Sequence, residues 1–595
     1  MASSAISNVF GVEHSLTGKA WQWRGGNMDL GHSQPGQLDD VVTQLLLSRG
    51  VERDDIERHR NPTLRAFLPD PSLFQDMDLA AERIAQAILS EEKITVYGDY
   101  DVDGATSAAL LIRLLDQLGV AADYYIPDRL LEGYGPSGEA LVRLGEQGSS
   151  LVVTVDCGAM AFDALQRARD AGVDVIVVDH HKCASELPKA VALVNPNRLD
   201  ESDEGAAHGH LAAVGVAFLL AIALVRTLRQ RGYFESRREP DLLGLLDLVA
   251  LGTVADVAQL HGLNRAFVAQ GLKVMAKRDN IGMSALIDAS RLKRAPMCSD
   301  LGFALGPRIN AGGRVGESTL GVRLLTSSDP DEARAIAEQL SQLNEERRAI
   351  EAIVQAEAED QIASQHNRSV LTLSGAGWHP GVIGIVAGRI KEKTGKPALV
   401  VALDSETAEG KGSGRSIPGV DLGAAIIAAR EADLLVAGGG HAMAAGLTVA
   451  ESKLDEFADW LDEKLARDVS RAQASLALKI DLAVTPRGLT PELVGTLEQA
   501  GPFGVGWPGP KIGVGPVRIV RADIVGQDHL RLIASGDDGA SLKCIAFRAA
   551  DSDWGQAILH GAKGRKLWLA GRAKIDDWGP TPKAELHLED AAWAD

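Results

Sequence analysis

The sequence predicts an α/β protein, and three observations carry that prediction. Between residues 94 and 195, short β-branched runs alternate with segments of helical period, the spacing of a parallel sheet covered on both faces. Three of those runs end on acidic or histidine residues: Asp99 to Asp103, Asp156, and Asp179-His180-His181. After about residue 475, short β-rich runs recur between Gly, Pro and Asp, which predicts a small barrel or sandwich.

Residues 1–75 read as peripheral, with Trp21, Trp23, a helical pattern around Val41, Val42, Leu45 and Leu46, and a Pro-punctuated stretch over 61–71. Helical spacing over 79–89 leads into a strand at 94–98. Then come a helix at 105–118, a strand at 122–126, a helix at 138–146 and a strand at 151–156. A helix at 160–171 and a strand at 173–179 follow, and 191–195 is a further candidate strand. Residues 208–300 read as mostly helical. The apolar run 211–225 is shorter than the roughly 20 residues of a membrane span and reads as a buried helix. The run 242–257 is broken by Asp247 and Asp256, each of which needs a partner because burying a bare carboxylate is costly. Asp256 reads equally as a metal ligand or as a capping or salt-bridged carboxylate.

The stretch 329–366 is rich in Ala, Glu and Arg and predicts a long exposed helix joining two lobes. A second αβ unit follows over 369–450: a strand at 369–373, a helix at 381–393, a strand at 398–402, then glycine-rich loops. With 595 residues the chain has room for roughly three to five domains. A net charge of −20 excludes a broad basic surface for coating nucleic acid but leaves room for a local basic channel. Four scattered cysteines (Cys157, Cys183, Cys298, Cys544) form no CxxC pair, which suits a reducing compartment and offers no thiolate metal site. No basic segment followed by an apolar core marks a signal peptide, so the expectation is a cytoplasmic protein.

The chemistry concentrates at Tyr97-Gly98-Asp99-Tyr100-Asp101-Val102-Asp103-Gly104. Alternate residues of an extended chain share a side, so Asp99, Asp101 and Asp103 are expected to point together from the end of a strand. Three such charges repel unless a cation sits among them; the bland alternative is a solvated acidic turn. Asp156, His180, His181 and Asp256 add oxygen and imidazole donors, a set that suits Mn²⁺ or Mg²⁺. Two close ions would stabilise both the entering and leaving oxygens of a phosphoryl displacement. No Ser-His-Asp, Cys-His or P-loop pattern competes.

Phosphate ligands are expected elsewhere. Arg129, in Pro127-Asp128-Arg129, reads as a phosphate clamp or a turn salt bridge. Residues 306–314 offer Arg308, Asn310 and Arg314, residues 411–416 offer Arg415 and Ser416, and residues 438–441 offer His441. These read as glycine-rich loops whose amides approach a phosphate closely. Trp378-His379-Pro380-Gly381 opens a helix whose N-terminus favours an anion. Phe503 and Trp507 read either as base-stacking platforms or as core.

These motifs, in this order, resemble the DHH phosphoesterase superfamily and, within it, the bacterial single-strand-specific DNA exonucleases. The resemblance rests on YGDYDVDG at 97–104, PDR at 127–129, EGYG at 132–135, VDCG at 155–158, DHH at 179–181 and TVADV at 253–257. It continues through GPRINAGGR at 306–314, WHPGVIGIVAGRI at 378–390, GSGRS at 412–416 and GGGHAMAAG at 438–446. It implies a two-lobed core of a DHH catalytic domain (76–328) and a DHH-associated domain (367–470). A connecting helix (329–366) would join them, with a peripheral segment (1–75) before and an OB-like barrel (471–595) after. It implies 5′→3′ hydrolysis of single-stranded DNA to 5′-mononucleotides with Mn²⁺ or Mg²⁺, two ions in all. Asp101, Asp103, Asp156, His180 and Asp256 would be the metal ligands. Asp99 and His181 would lie close by, as ligands, supports or phosphate contacts. Arg129, Arg308, Asn310, Arg314, Arg415, Ser416 and His441 would hold the substrate. A RecQ-type helicase and a single-strand-binding protein are the implied partners. A phosphodiesterase for short oligonucleotides or cyclic dinucleotides is the alternative activity.

Overall fold

The computed structural model describes residues 8–31, 38–129, 131–576 and 581–594; part of the N-terminal stretch expected to carry no leader lies outside them. Two short strands come first, β1 (Ala20–Trp23) and β2 (Asp29–Gly31). The first sheet then holds β3 (Ile94–Gly98), β4 (Asp123–Tyr125), β5 (Leu151–Val155), β6 (Asp174–Val178) and β7 (Ala192–Val194), in the order β4-β3-β5-β6-β7. Every pairing is parallel. Alternate strand residues enter opposite cores, as a period of two requires. Val96, Val153 and Ile176 pack with the helices Met77–Leu89, Val102–Gln117 and Ala213–Gln230. Tyr97, Val152 and Val175 pack with Leu141, Leu144 and Leu165 of the helices Gly138–Glu146 and Phe162–Asp170. The Ala213–Gln230 helix is long and apolar enough to cross a membrane by composition, yet 78% of it is buried in this core.

The long helix is present, Pro330–Ile362, but it is not simply exposed. Ala333, Ile336 and Leu340 enter the first core, while Val354 and Ala358 enter the second lobe. One apolar stripe thus serves two cores in turn.

The second lobe is a five-stranded sheet of β8 (Leu371–Ala376), β9 (Ala398–Asp404), β10 (Glu409–Arg415), β11 (Ala437–His441) and β12 (Ala444–Ala450), in the order β11-β12-β10-β9-β8. Three expected loops are therefore regular structure: residues 411–415 and 438–441 lie in strands, and 306–314 form the helix Gly306–Val315. Their glycines permit close packing rather than a loose turn. A Cβ on Gly412 or Gly414 would stand 2.7 Å from a leucine side chain, and one on Gly313 would stand 2.6 Å from the Tyr100 carbonyl oxygen.

The C-terminal region contains β13 (Ala477–Ile480), β14 (Leu482–Val484), β15 (Ile512–Val525), β16 (His529–Gly536), β17 (Ser541–Ala546), β18 (Lys566–Asp576) and β19 (Lys583–Trp593). Because β15 pairs with both β16 and β18, the five strands β15-β16-β17-β19-β18 close into a barrel. The segment read as peripheral is woven into this region: β1 pairs in parallel with β13, and β2 with β14. Trp21 is fully buried there, its Nε1 donating to Asp590 at 2.9 Å.

Candidate active site

The carboxylates converge because β3, β5 and β6 lie side by side and each ends in the same plane. Asp99 and Asp103 are nevertheless not alternate residues of one extended segment, as the DxDxD spacing suggests. Asp101 caps the Val102–Gln117 helix, accepting from the amides of Asp103 (2.8 Å) and Gly104 (3.1 Å), and Asp103 lies in the first turn. Capping satisfies the free amides of the turn, so it wins over continued extension. Asp103 is buried and accepts from the amides of Ala213 (2.7 Å) and Val214 (2.9 Å), which open a second helix.

Asp156 has φ 61°, a left-handed conformation uncommon outside glycine. His180 reaches across with Nε2 3.2 Å from Asp156 Oδ1 and 3.8 Å from Asp103 Oδ2. Its Nδ1 lies 3.1 Å from the Leu211 carbonyl, which only an N–H can satisfy, so Nε2 carries the lone pair. Asp256, at the end of the Leu246–Ala255 helix, places Oδ2 3.9 Å from His180 Nδ1. Among the described residues, three sets of donor atoms lie within 4.8 Å of one another: Asp99, Asp101 and Asp156; Asp103, His180 and Asp256; and Asp156, His180 and His181.

Electrostatics show what this wall lacks. Asp99 Oδ1, Asp156 Oδ1 and His180 Nε2 are buried without a hydrogen-bond partner among the described residues. Burial and the neighbouring carboxylates push Asp103 up to about 7 and Asp256 up to about 9, with Asp99 and Asp156 also well above the usual carboxylate range. Burial and the His181 charge bring His180 down to about 4, keeping it a neutral imidazole. Buried oxygen donors with a neutral imidazole lone pair are the donor set of a hard divalent cation.

Two residues outside the expected set complete the wall. Asp179 Oδ1 accepts from the amides of His180 (2.7 Å) and His181 (3.1 Å) and from His181 Nδ1 (2.8 Å), while Oδ2 accepts from Ala159 (3.0 Å). Burial alone would raise this carboxyl, but the His181 hydrogen bond and charge hold it at about 2. Tyr134 donates to the Asp156 carbonyl at 3.1 Å, and its oxygen lies 3.1 Å from His181 Nδ1. The DHH triplet and the EGYG stretch were the sequence signals for both.

Opposite stands a cavity of about 530 Å³ whose polar lining includes Arg129, Arg314, Lys411, Ser413 and Arg415. On β10, Lys411, Ser413 and Arg415 share the open face because alternate residues do. Gly446 pairs with both Ser413 and Gly439, and a Cβ on either glycine would meet nothing within 4 Å, so these two bare positions leave the floor clear. The guanidiniums of Arg314 and Arg415 meet backbone carbonyls and Ser413 rather than carboxylates. Burial and the Arg129 charge push Arg314 down to about 10 and also lower Arg415. Crowded cations without acidic partners make a site for an anion. His379, lowered by burial and by Arg129, borders it: its Nδ1 accepts from Gly381, whose carbonyl takes Arg314.

Not every expected substrate ligand comes here. Arg308 turns to the long helix, with Nε donating to Ser341 Oγ at 3.0 Å and another nitrogen to the Ala304 carbonyl. Ser416 is buried and donates to the Val420 carbonyl at 2.8 Å, whereas Ser413, three residues earlier and on the open face, lines the cavity together with Thr448. His441 shares a row with Arg415 through Ala444 but lies two strands away, outside the lining. Asn310 shares a helix face with Gly306 and Gly313, which touch Ala255 and Tyr100. Trp507 is core: its Nε1 donates to the Ala500 carbonyl, and Arg49 and Arg265 lie over its ring. Phe503 lines a separate apolar cavity.

Comparison with known proteins places this geometry. Residues 93–253 match the DHH family N-terminal domain, 367–467 the DHHA1 domain and 480–590 the RecJ OB domain. The single-stranded-DNA-specific exonuclease RecJ of Dickeya dadantii is 37% identical, over 93% of this chain and 96% of that protein. The Escherichia coli RecJ of the same name is 37% identical over 87% and 91%. The crystal structure of Thermus thermophilus RecJ in complex with Mn²⁺ superposes with a TM-score of 0.75 at 28% identity, covering 96% of this chain and 79% of that one.

Proposed function

This chain belongs to the RecJ family of single-stranded-DNA-specific exonucleases, and we propose that it hydrolyses single-stranded DNA from the 5′ end to 5′-mononucleotides in DNA repair and recombination. The observation that carries the reading is the pairing of two walls: buried donor atoms lacking partners face one way, and arginines lacking acids line a cavity beyond them. Asp101, Asp103, Asp156, His180 and Asp256 would hold Mn²⁺ or Mg²⁺, and the overlapping donor sets support two ions. Bound there, the ions supply Lewis acidity to a water and to the phosphoryl oxygens.

The rest is the work of this chain's own residues. The Leu211 carbonyl fixes the tautomer of His180, so its lone pair points at the carboxylates. Asp179 orients His181, and Tyr134 ties that imidazole to the strand end carrying Asp156. Arg129, Arg314 and Arg415 would hold the terminal phosphates, their charge offsetting what builds up on the departing group. The barrel would grip the strand behind the cut by backbone charge and base stacking.

Digestion of long 5′-labelled single strands, matched duplex and dinucleotides with Mn²⁺ tests the reading. Label released at once as mononucleotide from the single strand alone supports it. Loss of dinucleotides only would hand the site to the short-oligonucleotide alternative. Asp156→Ala is expected to abolish cleavage with the fold intact; undiminished cleavage rejects the assignment. Four unpaired thiols support a cytoplasmic location. A RecQ-type helicase and a single-strand-binding protein are proposed partners on family resemblance, testable by co-precipitation.

A further inference from the structure

Phe303 is 81% exposed, an unusual position for a phenylalanine. It sits on a single π turn, Leu301–Leu305, in which the Gly306 amide reaches the Leu301 carbonyl. Such turns are frequent at functional positions. This one is pinned to the end of the Leu246–Ala255 helix. A Cβ on Gly302 would lie 3.6 Å from Val254 Cγ1, and one on Gly306 would lie 3.2 Å from Ala255 Cβ. Asp256, a donor of the metal wall, is the next residue. Val257 follows it at φ 63°, a conformation that β-branched residues avoid, and is 62% exposed. The strained backbone turns an apolar side chain outward beside the metal wall.

A cavity of about 500 Å³ opens between these residues and the barrel. Val254, Val257 and Phe303 line one side, and Arg572 and Lys574 of β18 line the other. The cavity thus lies between β18 of the barrel and Val257, the residue after Asp256. Arg572 pairs with Glu589 at 3.2 Å and Lys574 with Glu498 at 3.7 Å, so the apolar wall is the part that suits an unpaired base, since every base offers a π face whatever its edge.

We propose that Phe303, with Val257 beside it, is the platform on which a base of the single strand stacks between the barrel and the metal wall. The proposal rests on the exonuclease reading above. It assigns the stacking role that Trp507, held in the core, does not fill. Stacking away from the scissile bond holds the strand equally in ground and transition states, so it acts on KM more than on kcat.

The test compares wild type, Phe303→Ala and Phe303→Trp on a 20-mer of thymidylate, with binding read in chelator and hydrolysis in Mn²⁺. A second series of 20-mers carries one abasic residue walked along the strand. Phe303→Ala is expected to weaken binding and raise KM about tenfold, with Phe303→Trp restoring both. One abasic position should weaken binding to wild type and leave Phe303→Ala indifferent. Binding by Phe303→Ala equal to wild type, or the same abasic profile in both, overturns the proposal alone. A wild-type chain that neither binds nor degrades the 20-mer overturns the exonuclease reading and the proposal with it.

Discussion

Asp179 accepts four hydrogen bonds, three of them from the two histidines that follow it. An asparagine keeps the size but loses the charge and one acceptor. Asp179→Asn is therefore expected to lower the hydrolysis rate or the apparent Mn²⁺ affinity by about 10–100-fold, with far-UV circular dichroism unchanged. A titration of activity against Mn²⁺ checks it, and an unaltered curve rejects the orienting role. Asp247 gives a prediction about pH. Burial in the Leu246–Ala255 helix raises its carboxyl to about 6 from 3.8. A raised acid contributes fully to stability below its unfolded value and loses that contribution as pH rises through the folded one. Two units correspond to about 3 kcal/mol. Asp247→Asn should thus be more stable than wild type by up to about that amount at pH 8 and by almost nothing at pH 4, as denaturant melts at the two values will show. At this scale the sequence was legible wherever a polar residue ended a β run. It was less legible at 413–416, where reading a loop hid the strand alternation that turns Ser413 to the cavity and Ser416 inward.

At the scale of elements, the long helix shows how one segment holds two lobes. Glu351 is buried and takes Arg347 of its own helix at 2.7 Å and Arg389 of the Ile383–Thr394 helix at 2.5 Å. Asn344 completes the cluster by accepting from Arg347. Removing one partner of a buried ion pair strands the others. Glu351→Ala is expected to cost about 3–5 kcal/mol in urea unfolding, and a loss under 1 kcal/mol would show the pair to be solvated. The existence and length of this helix were plain in its composition. Its burial was not, because a charged sequence does not reveal that its cations and acids satisfy one another. The glycine-rich segments err in the opposite direction. Glycine signals a turn when the chain is read locally, whereas Gly313 is there for Tyr100 and Gly412 for Leu447, neighbours outside any local window.

The molecule as a whole is joined at Arg265, which is fully buried and pairs with no acid among the described residues. It donates to the carbonyls of His59, Ala500 and Pro502 at 3.1, 2.8 and 3.1 Å, and also to Gly501. One side chain of the first lobe thereby holds both the N-terminal segment and the approach to the barrel. Arg265→Ala leaves the carbonyls of His59, Gly501 and Pro502 without that donor, while Ala500 keeps Trp507 Nε1, at about 1–3 kcal/mol for each left unpaired and buried. Amide hydrogen exchange over 500–510 should accelerate before the sheet of the first lobe loosens; equal protection in the variant would refute the clamp.

The parallel sheet, the acidic and histidine strand ends, the long helix and the β-rich tail were all legible in the chain before it was folded. Each of these is written in local period and composition. Packing settled the rest: that β1 and β2 join strands more than 450 residues away, that Asp103 is held by the start of another helix, and which arginines share a cavity. Those outcomes depend on the pairing of distant backbone and on the direction in which each side chain leaves it. No window of neighbouring residues contains either quantity.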